Sequence, residues 1–386
     1  MNAVFDGLPD ARSARDIMRA IGDGVPPHRD LVQYITVGQK ETIERFRIDL
    51  SACAAGEYRS LALLGNPGMG KTHLLNALGH LGLKSNFVVS HFTQDLATKC
   101  TVNRLDRTFA ALCEALTAPE RQIDGDVLEA VLRRWAYRTV LEVGGAVESL
   151  RYLGQVCDAK RLGSEFADIT GRTKVVLLGL LAAAKIDDDE SILFFVNAFR
   201  SVSIENRAIV ERAKAIGLNF YRFFAGYTPA TSDSSFYIKQ IGILADIVSR
   251  TGYSGLIVMC DEATGTAELV TQSRKKAYDV IRDLLVNQYD LTSCYFVLAF
   301  MPAFIVQLRN DRSAKLSCFD EHWMTIWEQQ QYRVPELKAD ELASLGERIS
   351  VIQKIASGDD VEITDARSRS ASFSGTVREW VRGTTR

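Results

Sequence analysis

Apolar and polar positions along the chain fall into two textures: short unbroken apolar runs, and longer stretches with a helical repeat. "RSLALLG" (59–65), "SNFVVSHFT" (85–93), "SGLIVMCDE" (254–262) and "SCYFVLAFM" (293–301) are of the first kind. Their length and continuity predict strands buried on both faces, as in a parallel sheet. Residues 11–22 predict a short amphipathic helix, ended by the glycines and prolines of "GDGVPPHRD". "LVQYITVGQ" (31–39) reads as extended, and 40–56 as a helix with apolar spacing near 3.6. Another helix starts at Lys71. From about 101 to 250 the texture is helical throughout, over 104–117, 127–141, 143–160, 174–184, 190–199, 203–216 and 235–251, with no strand between them. Helical patterns return at 272–289, 336–357 and 373–383.

Strands separated by helices predict an α/β protein with a parallel sheet. The expected organisation is an N-terminal segment (1–58), the first part of the α/β core (59–100), a helical insertion (101–250), the second part of the core (251–333) and a small helical C-terminal region (334–386). The longest apolar run, "VVLLGLLAAA" (175–184), is half the ~20 residues that span a bilayer. It reads as a buried helix.

Composition narrows the functional classes. The 386 residues carry a net charge of −2, so whole-molecule attraction to nucleic acid or anionic lipid is not expected. Seven scattered cysteines without a C-x-x-C pair argue against a disulfide framework or a zinc site and fit a reducing cytoplasm. The N-terminus lacks the basic start and apolar core of a signal peptide. A soluble, cytoplasmic protein is the expectation.

The chemistry concentrates at residues 65–72, Gly-Asn-Pro-Gly-Met-Gly-Lys-Thr, a full G-x-x-x-x-G-K-[ST] between an apolar run and a helical pattern. Gly65, Gly68 and Gly70 let the backbone, through Asn66, Pro67 and Met69, turn its N–H groups toward phosphate oxygens. The helix N-terminus at Lys71 favours an anion. Lys71 is expected on the β/γ-phosphates, the Thr72 hydroxyl on Mg²⁺, and His73 comes directly after them in the first helical turn. In "LIVMCDEA", Asp261 and Glu262 close an apolar run, at the strand end where α/β sheets bind ligands. Asp261 suits a Mg²⁺ contact and Glu262 the orientation of an attacking water. The pair favours nucleotide hydrolysis over a small-molecule kinase.

These motifs sit in a wider pattern. "GDGVPPHRDLVQYITVGQKETIERF", "VNRLDRTFAALCEAL" with "LEAVLRRW", "TGYSGLIVMCDEA", "YFVLAFMPAFI" and "TVREWVRG" together resemble the ATP-binding proteins of bacterial BREX phage-defence systems, relatives of the AAA+/Orc-like ATPases. The resemblance implies a P-loop AAA+/Orc-like fold, and a Mg²⁺-dependent ATPase that powers or gates a DNA-acting defence assembly. A helicase or methyltransferase partner, contact with DNA and homo-oligomerisation are implied too. It places Tyr34, Ile35, Val37 and Gly38 around the adenine. It offers Arg309 and Arg312, after the fourth apolar run, as arginine fingers, and Arg378 in "TVREW" as a nucleotide-touching arginine of the closing helix. One departure stands out: where the family carries Gly-Thr-Pro after that run, this chain has Phe300-Met301-Pro302, without a hydroxyl. The expectation is therefore slow turnover in isolation, or a nucleotide-gated switch.

Two features stay open between a nucleic-acid contact and a plain surface. "RRWAYR" (133–138) interleaves cations with aromatics, as a base-stacking surface or as the snorkelling face of an amphipathic helix. Residues 365–386 hold five arginines against two acids, as a phosphate contact or a solvated tail.

Overall fold

The computed structural model describes residues 7–119, 125–143, 171–201, 203–218, 233–314 and 321–358. Its centre is a six-stranded sheet of β1 (Tyr58–Leu64), β2 (Val88–Thr93), β3 (Leu116–Thr117), β4 (Leu256–Asp261), β5 (Cys294–Phe300) and β6 (Gln331–Arg333), in the order β3-β2-β4-β5-β1-β6. All pairings are parallel except β2 with β3. Alternate residues of each strand serve opposite faces. Leu61 and Leu63 of β1 pack with Ile257 and Met259 of β4 and Val297 of β5 beneath helices α2 (Lys40–Ala54) and α3 (Lys71–Lys84). Ala62, Leu64, Val258 and Leu298 point into the other, larger core. Residues Leu256 to Cys260 are at most 1% exposed, which is why β4 has no polar alternation for the eye to find.

The larger core is built by the helices between β2 and β4: α4 (Leu105–Glu114), α5 (Val127–Val143), α6 (Gly171–Lys185), α7 (Asp189–Arg200), α8 (Asn206–Ala215) and α9 (Ser234–Arg250). The apolar run of 175–184 is the buried centre of α6, where a Cβ on Gly179 would meet the Phe195 ring at 2.3 Å. Buried Arg172 ties this corner together by donating to Ala198 O, Ser201 O, Ile204 O and Asn206 Oδ1. "RRWAYR" lies on α5 as an amphipathic face. Trp135 is 2% exposed, Arg133 pairs with Glu129 and Asp189, and Arg138 donates to Arg250 O.

After β4 come a 3-10 turn (Ala263–Glu268), α10 (Thr271–Leu285), β5, α11 (Pro302–Ser313), α12 (Glu321–Gln330), β6 and α13 (Ala339–Ser357). Helix α13 packs on α1 (Ala11–Gly22) through Ala14, Ile17, Ile35 and Ile352, a third cluster separate from the two sheet cores. No helix among the described residues is long and apolar enough to cross a membrane.

Three expectations need correction. Residues 31–39 are not extended: Val32–Tyr34 form a 3-10 turn, closed by the Ile35 N–H on Val32 O (3.1 Å) and backed by the Thr36 hydroxyl donating to the same carbonyl. The helix expected over 104–117 stops at Glu114, and Leu116–Thr117 pair with β2 as an antiparallel edge, so the helical stretch does contain a strand. A two-residue strand is too short for periodicity to reveal. Helix 272–289 ends at Leu285, where Tyr58 Oη and Ser60 Oγ take the terminal carbonyls of Leu284 and Leu285. The expected helix over 143–160, beyond Val143, that over 373–383 and the basic stretch 365–386 lie outside the described residues.

Candidate nucleotide-binding site

The order of the strands sets β5 between β4 and β1, so three strand ends converge: Gly65 after β1, Asp261–Glu262 on β4 and Met301 after β5. From β1 the chain turns through 65–70 and enters α3 at Lys71. Gly68 (φ +77°) and Gly70 (φ +85°) hold left-handed conformations that a side chain would strain. Gly65 is needed for a different reason. Its φ is ordinary, but a Cβ there would lie 3.2 Å from Lys71 Cγ and 3.4 Å from Val334.

Lys71 is 6% exposed, and its ammonium donates to Gly65 O (2.9 Å) and Asn66 O (3.2 Å) inside the loop. Burial pulls its pKa below the usual lysine value, while Glu262 and Asp261 push the other way, which sets both acids electrostatically near the amine. The Thr72 hydroxyl donates to Asp261 Oδ2 at 2.6 Å, joining the first turn of α3 to the end of β4. Asp261 is 3% exposed, and its other oxygen accepts the Glu262 N–H at 2.8 Å. Glu262 is exposed, at φ +54° in the left-handed region.

A hydroxyl and one carboxylate beside the glycine loop are a donor set that fits Mg²⁺, which keeps waters and takes substrate phosphates as its other ligands. Among the described residues no cluster of three or more His, Cys, Asp or Glu offers a closed metal cage. Met301 is half-buried, at the N-terminal edge of α11, and supplies a thioether where a hydroxyl would donate.

His73 faces the lead-in segment: its Nε2 lies 2.9 Å from Thr36 Oγ1. Burial lowers its pKa to about 4, so the ring is neutral at pH 7. Ile35, Thr36 and Val37 are buried and Tyr34 half-buried, on the stretch that joins α1 to α2. Arg348 of α13 donates to Tyr34 O at 2.9 Å. Arg309 is exposed on α11 and Arg312 half-buried, while Asp311 between them turns inward to Arg274 and Tyr278. Arg378 lies outside the described residues.

Several residues of this neighbourhood gave no signal in the sequence. Thr36 and Arg348 matter through partners 37 and 314 positions away. Gln94, at the end of β2 and 6% exposed, binds Asp261 O through its N–H (2.9 Å) and Thr266 Oγ1 through its amide (3.4 Å). Its polar side chain after an apolar strand reads as an ordinary strand end.

Comparison with protein families decides the larger question. The model for the BREX system ATP-binding protein BrxC/D family matches residues 10–155 and 229–381. The chain belongs to this family. No curated protein and no solved structure matches it. Family membership gives the chain an ATP-binding role in BREX phage defence. Both the glycine loop and the Asp261–Glu262 pair lie inside the matched ranges, as does Arg378. The stretch between the matched ranges, 156–228, contains α6, α7 and α8, so these helices lie outside the family match.

Proposed function

We propose that this protein binds Mg·ATP at the 65–72 loop and hydrolyses it slowly, and that it powers or gates a DNA-acting assembly of cytoplasmic BREX proteins, such as a helicase or methyltransferase. The observation that carries the reading is the 2.6 Å bond from Thr72 Oγ1 to Asp261 Oδ2. It brings the hydroxyl of the loop and the acid of a strand 189 residues later into one donor set. Bound Mg²⁺ would neutralise phosphate charge there. Lys71 exchanges its loop carbonyls for β/γ-phosphate oxygens, and the N–H groups of Gly68 to Thr72 line the rest of the anion. Glu262, exposed beside Asp261, orients the water that attacks the γ-phosphate.

Thermal unfolding with and without Mg·ATP tests binding. Wild type is expected to gain several degrees at saturating nucleotide, and Lys71→Ala to gain none; an unshifted wild type refutes the reading. A second reading, a nucleotide-gated switch with little turnover, is favoured by Met301, which cannot donate a hydrogen bond to a γ-phosphate or a water. ATP hydrolysis measured with and without duplex DNA separates the two. Strong stimulation selects the motor or loader; indifference with slow turnover selects the switch.

A further inference from the structure

Helix α3 starts with two residues that face different partners. Thr72 turns to Asp261, and the next side chain, His73, turns to the lead-in segment. The Thr36 hydroxyl donates its one proton to Val32 O at 2.8 Å, so toward His73 it can only accept. His73 Nε2 therefore carries the ring proton and donates to Thr36. Thr36 is 0% exposed, and the same hydroxyl is a second donor, beside the Ile35 N–H, to the carbonyl that ends the 3-10 turn of Val32–Tyr34, so the imidazole is tied through Thr36 to the turn that leads into residues 34–38. On its far side this stretch is held by α13. Arg348, 9% exposed, donates to Tyr34 O, and the Glu341 carboxylate occupies the space beside Gly38. A Cβ on Gly38, already left-handed at φ +68°, would fall 2.5 Å from Glu341 Cδ.

We infer that His73 is a positioning residue for the base-binding segment: through Thr36 it fixes residues 34–38 against the first turn of the phosphate-binding helix, so that it acts on recognition of the nucleoside and not on recognition of the phosphates. The inference rests on the proposed ATP site and on the placement of residues 34–38 around the adenine that the family resemblance implies. Lys71, Thr72 and the loop N–H groups contact phosphate whether or not His73 is present. What the imidazole adds is order in the segment that the family resemblance places around the adenine.

A phosphate-only probe separates these contributions. Dissociation constants for Mg·ATP and for magnesium tripolyphosphate, which carries the same phosphate chain without a nucleoside, are measured by calorimetry on wild type, His73→Ala, His73→Gln and Thr36→Val. His73→Ala is expected to weaken ATP about 3- to 10-fold, the worth of one hydrogen bond, and to leave tripolyphosphate unchanged within about twofold. His73→Gln places an amide Nε2 at the same number of bonds from Cα and is expected to restore most of the ATP affinity. Thr36→Val, which removes the acceptor while His73 stays, is expected to reproduce the His73→Ala pattern. An equal loss for both ligands, or no loss for either, overturns the inference. Wild type that binds neither ligand overturns the nucleotide reading itself, and the inference with it.

Discussion

At φ +54°, Glu262 holds a backbone conformation that costs a residue with a Cβ about 1–3 kcal/mol, and its carboxylate is exposed beside the glycine loop. Asp261 accepts the Glu262 N–H and so helps to hold that turn, while also taking the Thr72 hydroxyl. Strain kept at this position fits the proposed role of Glu262 in orienting the attacking water. The loss of the carboxylate and the relief of the strain can be told apart. Glu262→Gln keeps the backbone and is expected to lower kcat about 10²- to 10⁴-fold with ATP affinity little changed, because water orientation contributes in the transition state. Glu262→Gly is expected to lose turnover equally. Yet its unfolding midpoint should stay within about 2 °C of wild type, since relief of the left-handed strain offsets glycine's extra chain entropy. A midpoint several degrees lower would show that the side chain has a structural task.

At the scale of elements, α11 is the piece whose placement fixes the chain after β5. It is held from two sides: Phe300, Phe304, Tyr278 and Trp327 pack ring against ring beneath it, and Asp311 binds Arg274 (3.0 Å), Tyr278 Oη (2.8 Å) and Gln307 Nε2 (2.9 Å). Burial pushes the Asp311 carboxyl up, but these donors hold it below its usual value, so it is ionised and paired. With Arg274 13% and Asp311 6% exposed, Asp311→Ala strands a largely buried guanidinium and should cost about 3–5 kcal/mol in denaturant unfolding. Arg274→Ala combined with Asp311→Ala should cost less than the sum of the two, by about 0.5–3 kcal/mol; strict additivity would show that the pair does not lock the helix. None of this was legible beforehand, because α11 has a broken apolar pattern and its anchor, Arg274, sits 37 residues upstream. By contrast, four buried strands, the glycine loop and the acid pair could be read directly, since continuous apolar runs and the G-x-x-x-x-G-K-[ST] spacing are local signals. The 3-10 turn at Val32–Tyr34 escaped because a three-residue turn carries no period, and the buried Thr36 hydroxyl that backs it gives no local signal. Strand β3 and strand β6 escaped because two and three residues carry no period.

Across the whole molecule, the proposed site is assembled at the carboxyl ends of three interior strands of the sheet, and the slow turnover proposed for it follows from its parts. The loop supplies Lys71 and Thr72, the end of β4 supplies Asp261 with Glu262 directly after it, and the position after β5 supplies Met301, whose side chain cannot donate a hydrogen bond. Charge that develops on the transferring phosphoryl group needs a further cation, and an arginine provided in trans typically raises phosphoryl-transfer rates about 10³- to 10⁵-fold. Helix α11 presents candidates on its outer side. With Asp311 turned inward, Arg309 is exposed near Val306 (59% exposed), and Arg312 stands one turn further along, half-buried. If copies of the chain share sites, hydrolysis per molecule must rise with protein concentration, whereas a self-sufficient site gives a constant specific rate. The rate is therefore expected to climb across a concentration series in wild type and to stay low and flat in Arg309→Ala or Arg312→Ala. Mixing either arginine variant with Glu262→Gln should recover activity, because the first contributes an intact Glu262 site and the second an intact arginine. A flat wild-type series, together with no recovery on mixing, would place the missing cation in a different BREX protein or in no partner at all.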